Sequence, residues 1–329
     1  MYNNNILTKN ICIVSLLVFL VMFVFTANCL AISNYPDRTI EIVVGWGAGG
    51  GSDLFTRLLA KEVEKNLDAK IIIVNMPGAS SAEATNFVQN QPADGYTIFV
   101  ITPTFLMNPY LGRTKYDFHS FTPILRAHVD TSMLHTSSES RFKTWEDVVN
   151  YAKENPGDLT IGIGGSVNSD ETTTAIILQS AGIEATLVPF ENAGLMYAEL
   201  LGGHIDLMYD EPGPVMALLE SGKIIPLIVS TEDRVKYFPD VPSAGELGYE
   251  VPPGMWRGMV VKKGTPKEIV KILEDAFYEA TLTKPYKDFE ESHLLNIRAG
   301  YLNSEDFYKV MERETLLYKN TLEKLGYVK

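Results

Sequence analysis

The sequence is poor in cysteine, in histidine and in basic residues, and each shortage excludes a class of protein. The two cysteines of the 329-residue chain, Cys12 and Cys29, both precede residue 30, so the rest of the chain lacks a disulfide framework, a thiolate metal site and a cysteine nucleophile. The five histidines lack the spacing of metal ligands, and we expect neither a metal nor a cofactor. With 28 basic against 41 acidic residues, the formal charge of −13 argues against nucleic acid and anionic membranes as partners.

Long apolar runs are also scarce, and the one that stands out spans residues 11–25. It follows Lys9 and precedes a segment of small residues that ends at Ala31, which is the three-part pattern of a secretory signal peptide. Its length is short of the ~20 residues that a membrane-spanning helix needs. We therefore predict export to the periplasm with removal of residues 1–31. An uncleaved membrane anchor and lipid attachment at Cys29 are the alternatives.

The rest of the chain alternates two kinds of pattern. Short β-rich runs predict strands at residues 40–44, 71–74 and 96–101, and apolar stripes at helical spacing predict a helix between each pair. Strand–helix–strand order is typical of a parallel sheet with right-handed crossovers. The alternation restarts where Thr144 and Asp147 have the spacing of a helix capping box.

Two further β-type segments, residues 122–128 and 255–261, stand between the two halves and lack the composition of a flexible linker. They suit two crossings of the chain between lobes. A chain of 329 residues also has the length of about two domains. We predict an α/β protein with a discontinuous lobe 1, residues 32–125 and 254–329, and a lobe 2 of residues 126–253.

A glycine-rich loop, GWGAGGGSD at residues 45–53, joins the first strand to the first helix. Gly45, Gly47 and Gly50 match the dinucleotide fingerprint, but no acid follows the second strand to hold a ribose. A phosphate-binding P-loop is excluded because no lysine follows the glycines. Glycines before a helix let backbone N–H groups face an anion, and the helix N-terminus favours negative charge. The loop therefore predicts a carboxylate-binding site, with a tight structural turn as the alternative.

The second half carries two comparable loops, residues 162–171 and 189–194, at strand-to-helix junctions. Both offer small residues, side-chain amides or hydroxyls, and helix N–H groups. Helix N-capping by Ser169 and Asn192 would explain the same residues without a ligand. Because open α/β sheets bind ligands at the carboxyl ends of their strands, we expect these loops to face the glycine-rich loop across a cleft.

The sequence gives weaker support to an enzyme. No G-x-S-x-G nucleophile motif is present. Asp210 and Glu211, at a strand end, have the chemistry of paired carboxylates for acid–base catalysis. An exported hydrolase or lyase that uses this pair is the alternative, but capping of the next helix or ligand orientation explains the pair better.

Eight short motifs together resemble the Bug-type solute receptors of tripartite tricarboxylate transporters. Their order and spacing cover nearly all of the predicted mature chain, although each motif alone is weak. They lie at residues 35–40, 43–53, 74–79, 93–97, 188–190, 200–210, 238–243 and 264–266.

The resemblance implies a periplasmic-binding-protein-like fold, in which two mainly parallel sheets flanked by helices are hinged by two crossing segments. It implies a monomeric receptor without catalytic activity that closes on a small organic anion or amino acid and delivers it to permease subunits. A ligand sensor for a signalling kinase is the alternative. Carried over by position, the ligand-binding residues are Trp46, Gly47, Ala48, Gly49, Ser52, Thr102 and Thr104 in lobe 1, with Asn168, Ser169, Asp170, Asn192, Ala193 and Asp210 in lobe 2.

Two acids depart from the pattern of the family. Glu171 stands where many members carry histidine, and Glu191 stands where they often carry lysine. Both flank loops that are expected to receive the distal end of the ligand, where a second carboxylate would meet like charge. We therefore expect a ligand whose distal end is neutral or carries an amine.

Overall fold

The computed structural model describes residues 35–190 and 192–328, so the predicted leader and Glu191 lie outside the described residues. The strands are β1 (Ile40–Val44), β2 (Ile71–Asn75), β3 (Thr97–Ile101), β4 (Phe121–Asp130), β5 (Met133–Ser137), β6 (Thr160–Gly164), β7 (Thr186–Phe190), β8 (Leu207–Asp210), β9 (Ile224–Val229), β10 (Met255–Lys262) and β11 (Leu302–Asn303). The helices are α1 (Gly51–Leu67), α2 (Ala82–Gln89), α3 (Thr104–Met107), α4 (Trp145–Glu154), α5 (Ser169–Ala181), α6 (Ala193–Leu201), α7 (Pro212–Glu220), α8 (Lys267–Leu282), α9 (Lys284–Ser292) and α10 (Ser304–Lys324).

The first sheet has the strand order β11-β4-β10-β3-β1-β2. Strand β1 pairs in parallel with β2 and β3, whereas β10 pairs antiparallel with β3 and β4. Helices α1 and α8 cover one face of the sheet. Their apolar stripes pack together in one buried cluster, which includes Phe55 and Leu59 of α1 and Leu273 and Phe277 of α8. The opposite face buries Phe99 with α10 residues in a second cluster.

The second sheet has the order β7-β6-β8-β5-β9. Strand β6 pairs in parallel with β7 and β8, and β5 pairs antiparallel with β8 and β9. Helices α4 and α5 bury apolar residues, including Trp145 and Ile177, against one face. Helices α6 and α7 cover part of the other face around Met196 and Val215.

The predicted α/β architecture with two lobes is confirmed, but each sheet is mixed, whereas we expected both to be mainly parallel. Strands β4 and β5 form a nearly continuous extended segment across both sheets, and β9 and β10 return beside them in the opposite direction. Composition marks such segments as strands without showing their direction. Strand β4 stays in the first sheet up to Asp130, while the lobe bounds given above stay a prediction.

Polar residues cap the N-termini of several helices of lobe 2. The predicted capping box of Thr144 and Asp147 is present at the start of α4. Asn168 accepts hydrogen bonds from the backbone of α5, and Asn192 accepts one from α6. Among the described residues, no helix is both long enough and apolar enough to cross a membrane.

Candidate functional site

A cavity of about 450 Å³ lies between the two lobes, where loops at the ends of β1, β4, β6 and β8 meet. Its size suits a small organic ligand. Both lobes contribute to the wall, which includes Gly49, Gly50, Gly51, Leu54, Phe55, His128, Asp130 and Arg257 from the first sheet and its helix, and Gly164, Asp170, Ala193, Met196, Tyr197, Tyr209, Asp210 and Glu211 from the second.

The glycine-rich loop presents backbone to this cavity. Helix α1 begins at Gly51, and its N-cap residue Gly50 has no side chain to occupy the first-turn N–H groups. Behind the loop, the carboxylate of Asp53 accepts a hydrogen bond from the backbone N–H of Gly49 at 2.8 Å. Burial raises the pKa of Asp53, but the hydrogen bonds from Arg57, Gly49 and Asn75 outweigh burial and lower that pKa below its ordinary value. Asp53 thus occupies the Gly49 N–H and holds the loop in place, while the N-terminus of α1 at Gly51 lines the cavity.

A buried ion pair closes the first-lobe side. The period-2 alternation of β4 places His128 and Asp130 on one face, and Arg257 of β10 pairs in register with His128. The Arg257 guanidinium contacts the Asp130 carboxylate, and its Nη1 lies 3.1 Å from His128 Nε2. A side chain at Gly51 would be too close to this guanidinium, since an added Cβ would lie 2.6 Å from Nη2. Arg257 is therefore a cavity cation that already has an anionic partner.

His128 stays neutral beside this pair. Burial lowers its pKa well below the ordinary value, and the neighbouring Arg257 charge lowers it further. Because a guanidinium only donates hydrogen bonds, His128 Nε2 accepts and Nδ1 carries the hydrogen. That Nδ1 has no hydrogen-bond partner among the described residues, although the side chain is only 1% exposed and lines the cavity.

The second-lobe side is acidic. Asp210 accepts hydrogen bonds from the Tyr197 hydroxyl at 2.7 Å and from the Glu211 backbone at 2.9 Å. Burial and then the Asp210 charge raise the pKa of Asp170 to about 7, and burial raises the pKa of Asp210 to about 6. Glu211 is 7% exposed, and burial together with the charges of Asp130, Asp210 and Asp170 raises its pKa well above the ordinary value.

The cavity gathers four of the sequence-predicted site residues, namely Gly49, Asp170, Ala193 and Asp210. Gly47 and Ala48 belong to the same loop but lie outside the wall. Trp46 packs on the core of the first lobe, and its carbonyl accepts a hydrogen bond from Asn75.

The remaining predicted residues serve the scaffold around the cavity. Ser52 lies behind the wall, with its Oγ 3.3 Å from Arg257 Nε. Thr102 is buried, and Asn168 and Asn192 are helix caps. Thr104 and Ser169 join the lobes through a 3.1 Å contact between their hydroxyls.

Glu171 does not face the cavity. Its carboxylate accepts hydrogen bonds from the backbone of Val167 at 2.6 Å and from the Tyr327 hydroxyl. Helix α5 thereby contacts the C-terminal segment of the chain. Of the acids in the described part of the chain, those that face the cavity are instead Asp130, Asp170, Asp210 and Glu211.

Sequence analysis missed the position of His128, Asp130 and Arg257 in the cavity wall. A signal was present, because a charged residue within an apolar β-run demands a buried partner, and Arg257 interrupts such a run. The pairing of β4 with β10, which the sequence did not reveal, identifies that partner as Asp130.

A family comparison matches this architecture. The family model named TctC, the tripartite tricarboxylate transporter family receptor, matches residues 55–326. The chain belongs to the TctC receptor family. The predicted family and the two-lobe fold are thus confirmed, and the proteins of this family are solute-binding receptors.

Individual relatives match most of the chain. A relative from Cupriavidus necator, the UPF0065 protein in the gbd 5' region, is 30% identical over 297 residues, 90% of each chain. BugT from Bordetella pertussis is 24% identical over 277 residues, 82% of this chain and 85% of BugT.

Solved structures agree with these relatives. A TctC solute binding protein from Polaromonas is 32% identical with a TM-score of 0.74, covering 88% of this chain and 99% of that one. An R. palustris protein solved with adipate is 26% identical with a TM-score of 0.78, covering 89% and 98%.

Proposed function

We propose that this TctC family receptor is an exported, non-catalytic binding protein that captures a small carboxylate-bearing organic solute between its lobes. It delivers the solute to the permease subunits of a tripartite tricarboxylate-type transporter. The observation that carries this proposal is the cavity between the two sheets, because its wall combines glycine backbone at the N-terminus of α1 with residues from both lobes.

The first-lobe wall supports a carboxylate as the group that is bound. The N-terminus of α1 favours an anion, and the one acid of the loop, Asp53, lies behind the loop instead of in the cavity wall. The R. palustris relative was solved with adipate, which carries two carboxylates. Closure of the lobes on such a solute would present a distinct surface to the membrane partner.

The leader supports a periplasmic location. Its charge, apolar run and small-residue end are those of a signal peptide, and a receptor for a membrane transporter needs to meet its solute outside the cytoplasm. Intact-mass measurement of the protein from its native host tests this part. We expect a product that lacks about residues 1–31, and a full-length product would contradict export.

Calorimetric titration of the mature protein against small organic acids tests the binding function. We expect saturable binding with a stoichiometry of one and a raised thermal midpoint in the presence of ligand. The ligand should be recovered unchanged by NMR after prolonged incubation. Turnover of the ligand would instead favour the hydrolase or lyase that uses Asp210 and Glu211.

A further inference from the structure

We infer that the second-lobe wall of the cavity binds a cationic amine, so that the captured solute is a small amino-carboxylate that carries both charges. This inference rests on the proposed function, because the carboxylate of the same solute would face the glycine-rich loop. The groups that bind the amine are Asp170, Asp210 and Glu211.

The first step is the charge of the wall. Within the ranges that the structure describes, four carboxylates line the cavity, and the guanidinium that lines it with them, Arg257, is in contact with Asp130. Two histidines also line the wall. His128 is buried beside Arg257, and His293 has its Nδ1 in contact with the backbone carbonyl of Phe289. Among the described residues, no salt bridge reaches Asp170, Asp210 or Glu211. The cavity therefore has an excess of acidic groups on one side, and an excess of negative charge where these acids are ionised.

The second step is the hydrogen-bonding capacity that remains. Glu211 is more than nine-tenths buried and lines the cavity, yet its nearest side-chain donor is the Tyr209 hydroxyl at 3.5 Å, too long for a strong bond. An ionised carboxylate accepts about four hydrogen bonds and is costly to bury without them. A protonated amine supplies three hydrogen-bond donors and a positive charge, so it would satisfy the unfilled acceptors of the carboxylate and also compensate its charge.

The third step excludes a second carboxylate at this wall. Two like charges about 4 Å apart repel by several kcal/mol at intermediate dielectric, and here the solute would meet three acids. A neutral distal group would leave the excess charge uncompensated. The wall thus selects an amine over both, while the first-lobe wall keeps its preference for an anion.

The test is a calorimetric comparison of matched ligands at pH 8. Glutarate, 5-aminopentanoate and 1,5-diaminopentane share a five-carbon chain, and series of three to six carbons cover other spans of the cavity. We expect the amino-carboxylate of the best length to bind at least about tenfold more tightly than the dicarboxylate of equal length. A dicarboxylate that binds as tightly overturns the inference and leaves the proposed function standing. A diamine that binds most tightly keeps the amine site and contradicts the carboxylate part of the proposed function.

Two variants locate the effect. Glu211→Gln keeps the shape of the side chain and should weaken binding of the amino-carboxylate about tenfold, and should weaken binding of a monocarboxylate of equal length much less. Glu171→Gln is the matched control, because Glu171 is a neighbouring acid whose carboxylate contacts Val167 and Tyr327 instead of the cavity. Equal losses for both variants, or a loss for neither, would contradict the assignment.

Discussion

The two walls of the cavity solve ligand recognition with different parts of the chain. The first-lobe wall uses backbone, since Gly49, Gly50 and Gly51 line the cavity at the N-terminus of α1 and the cation beside them, Arg257, is neutralised by Asp130. The second-lobe wall uses side chains, and its acids have raised pKa values because burial opposes their charge. Backbone donors are fixed by the fold, whereas buried acids hold unfavourable charge until a ligand compensates it. The first wall is thus built for stability and the second for discrimination.

The largest effect should come from breaking the ion pair of the first wall. Arg257→Met leaves Asp130 buried without its partner, and removal of one member of a buried pair costs about 3–5 kcal/mol. We expect the free energy of unfolding, measured with urea, to fall by about that amount. The double variant Arg257→Met with Asp130→Leu should recover most of the loss, because no unpaired charge remains. A double variant as unstable as the single one would show that the loss comes from packing.

A smaller effect should separate binding from stability at the glycine-rich loop. Gly50 has extended backbone angles and is the N-cap of α1, a position where aspartate is favoured. Gly50→Asp should therefore leave the thermal midpoint unchanged or higher, while its carboxylate competes with that of the ligand. Loss of charge-assisted contacts worth about 1.5–3 kcal/mol weakens binding roughly tenfold to hundredfold.

Ala48→Asp is the control for this charge change. Ala48 belongs to the same loop but is exposed and lies outside the cavity wall. Calorimetry should give it nearly wild-type affinity for a carboxylate ligand. Equal losses for Gly50→Asp and Ala48→Asp would mean that the charge acts at long range and that the wall does not bind the carboxylate directly.

The same contrast explains what the sequence could predict. The two lobes and the glycine-rich loop follow from local patterns, because a strand, a glycine run and a helix stripe are contiguous in the chain. The partnership of Asp130 with Arg257 depends on pairing between strands 127 positions apart in the chain. Glu171 and Asp170 are adjacent acids at the start of one helix, and contacts with the Val167 backbone and with Tyr327, which the sequence does not reveal, hold Glu171 away from the cavity.

The acidic wall should make amine binding depend on pH. The pKa of Asp170 is raised to about 7 and that of Asp210 to about 6, so both acids are largely ionised at pH 8 and Asp170 is largely protonated at pH 5.5. Each pH unit below a pKa lowers the ionised fraction about tenfold, so the ionised fraction of Asp170 alone falls roughly thirtyfold between these pH values, and affinity for an amino-carboxylate should fall by at least about that factor. Calorimetry in matched buffers measures this fall.

The other groups at the cavity define the controls for that titration. His293 also lines the wall, and His293→Asn should retain the pH dependence if the acids cause it. Asp170→Asn should bind weakly at both pH values and flatten the profile. If the affinity of His293→Asn no longer depends on pH, the histidine and not the acids causes the pH dependence.

The smallest effect should be on the free energy of unfolding, which the buried acids of the second-lobe wall lower. In the ligand-free protein Glu211 is buried, and its pKa is raised well above the ordinary value by burial and by Asp130 and its other acidic neighbours. At low pH the carboxyl is protonated in both the folded and the unfolded chain and costs nothing. As the pH rises, the unfolded chain ionises first, so folding loses stability until the folded-state pKa is passed. Glu211→Gln removes that loss, and at pH 8 we expect a gain of about 1 kcal/mol in the free energy of unfolding.

The gain should shrink as the pH falls toward 4 and should be absent in Glu171→Gln, whose carboxylate has hydrogen-bond partners on both oxygens. A saturating amino-carboxylate should reverse the order of the proteins at pH 8, because it stabilises the wild type more than Glu211→Gln. Thermal unfolding of both proteins at pH 8 and at pH 4, each with and without the amino-carboxylate, measures these differences. If Glu211→Gln is less stable than the wild type at pH 8 without ligand, the carboxylate has a structural partner, and the contrast between a stabilising first wall and a discriminating second wall fails at this residue.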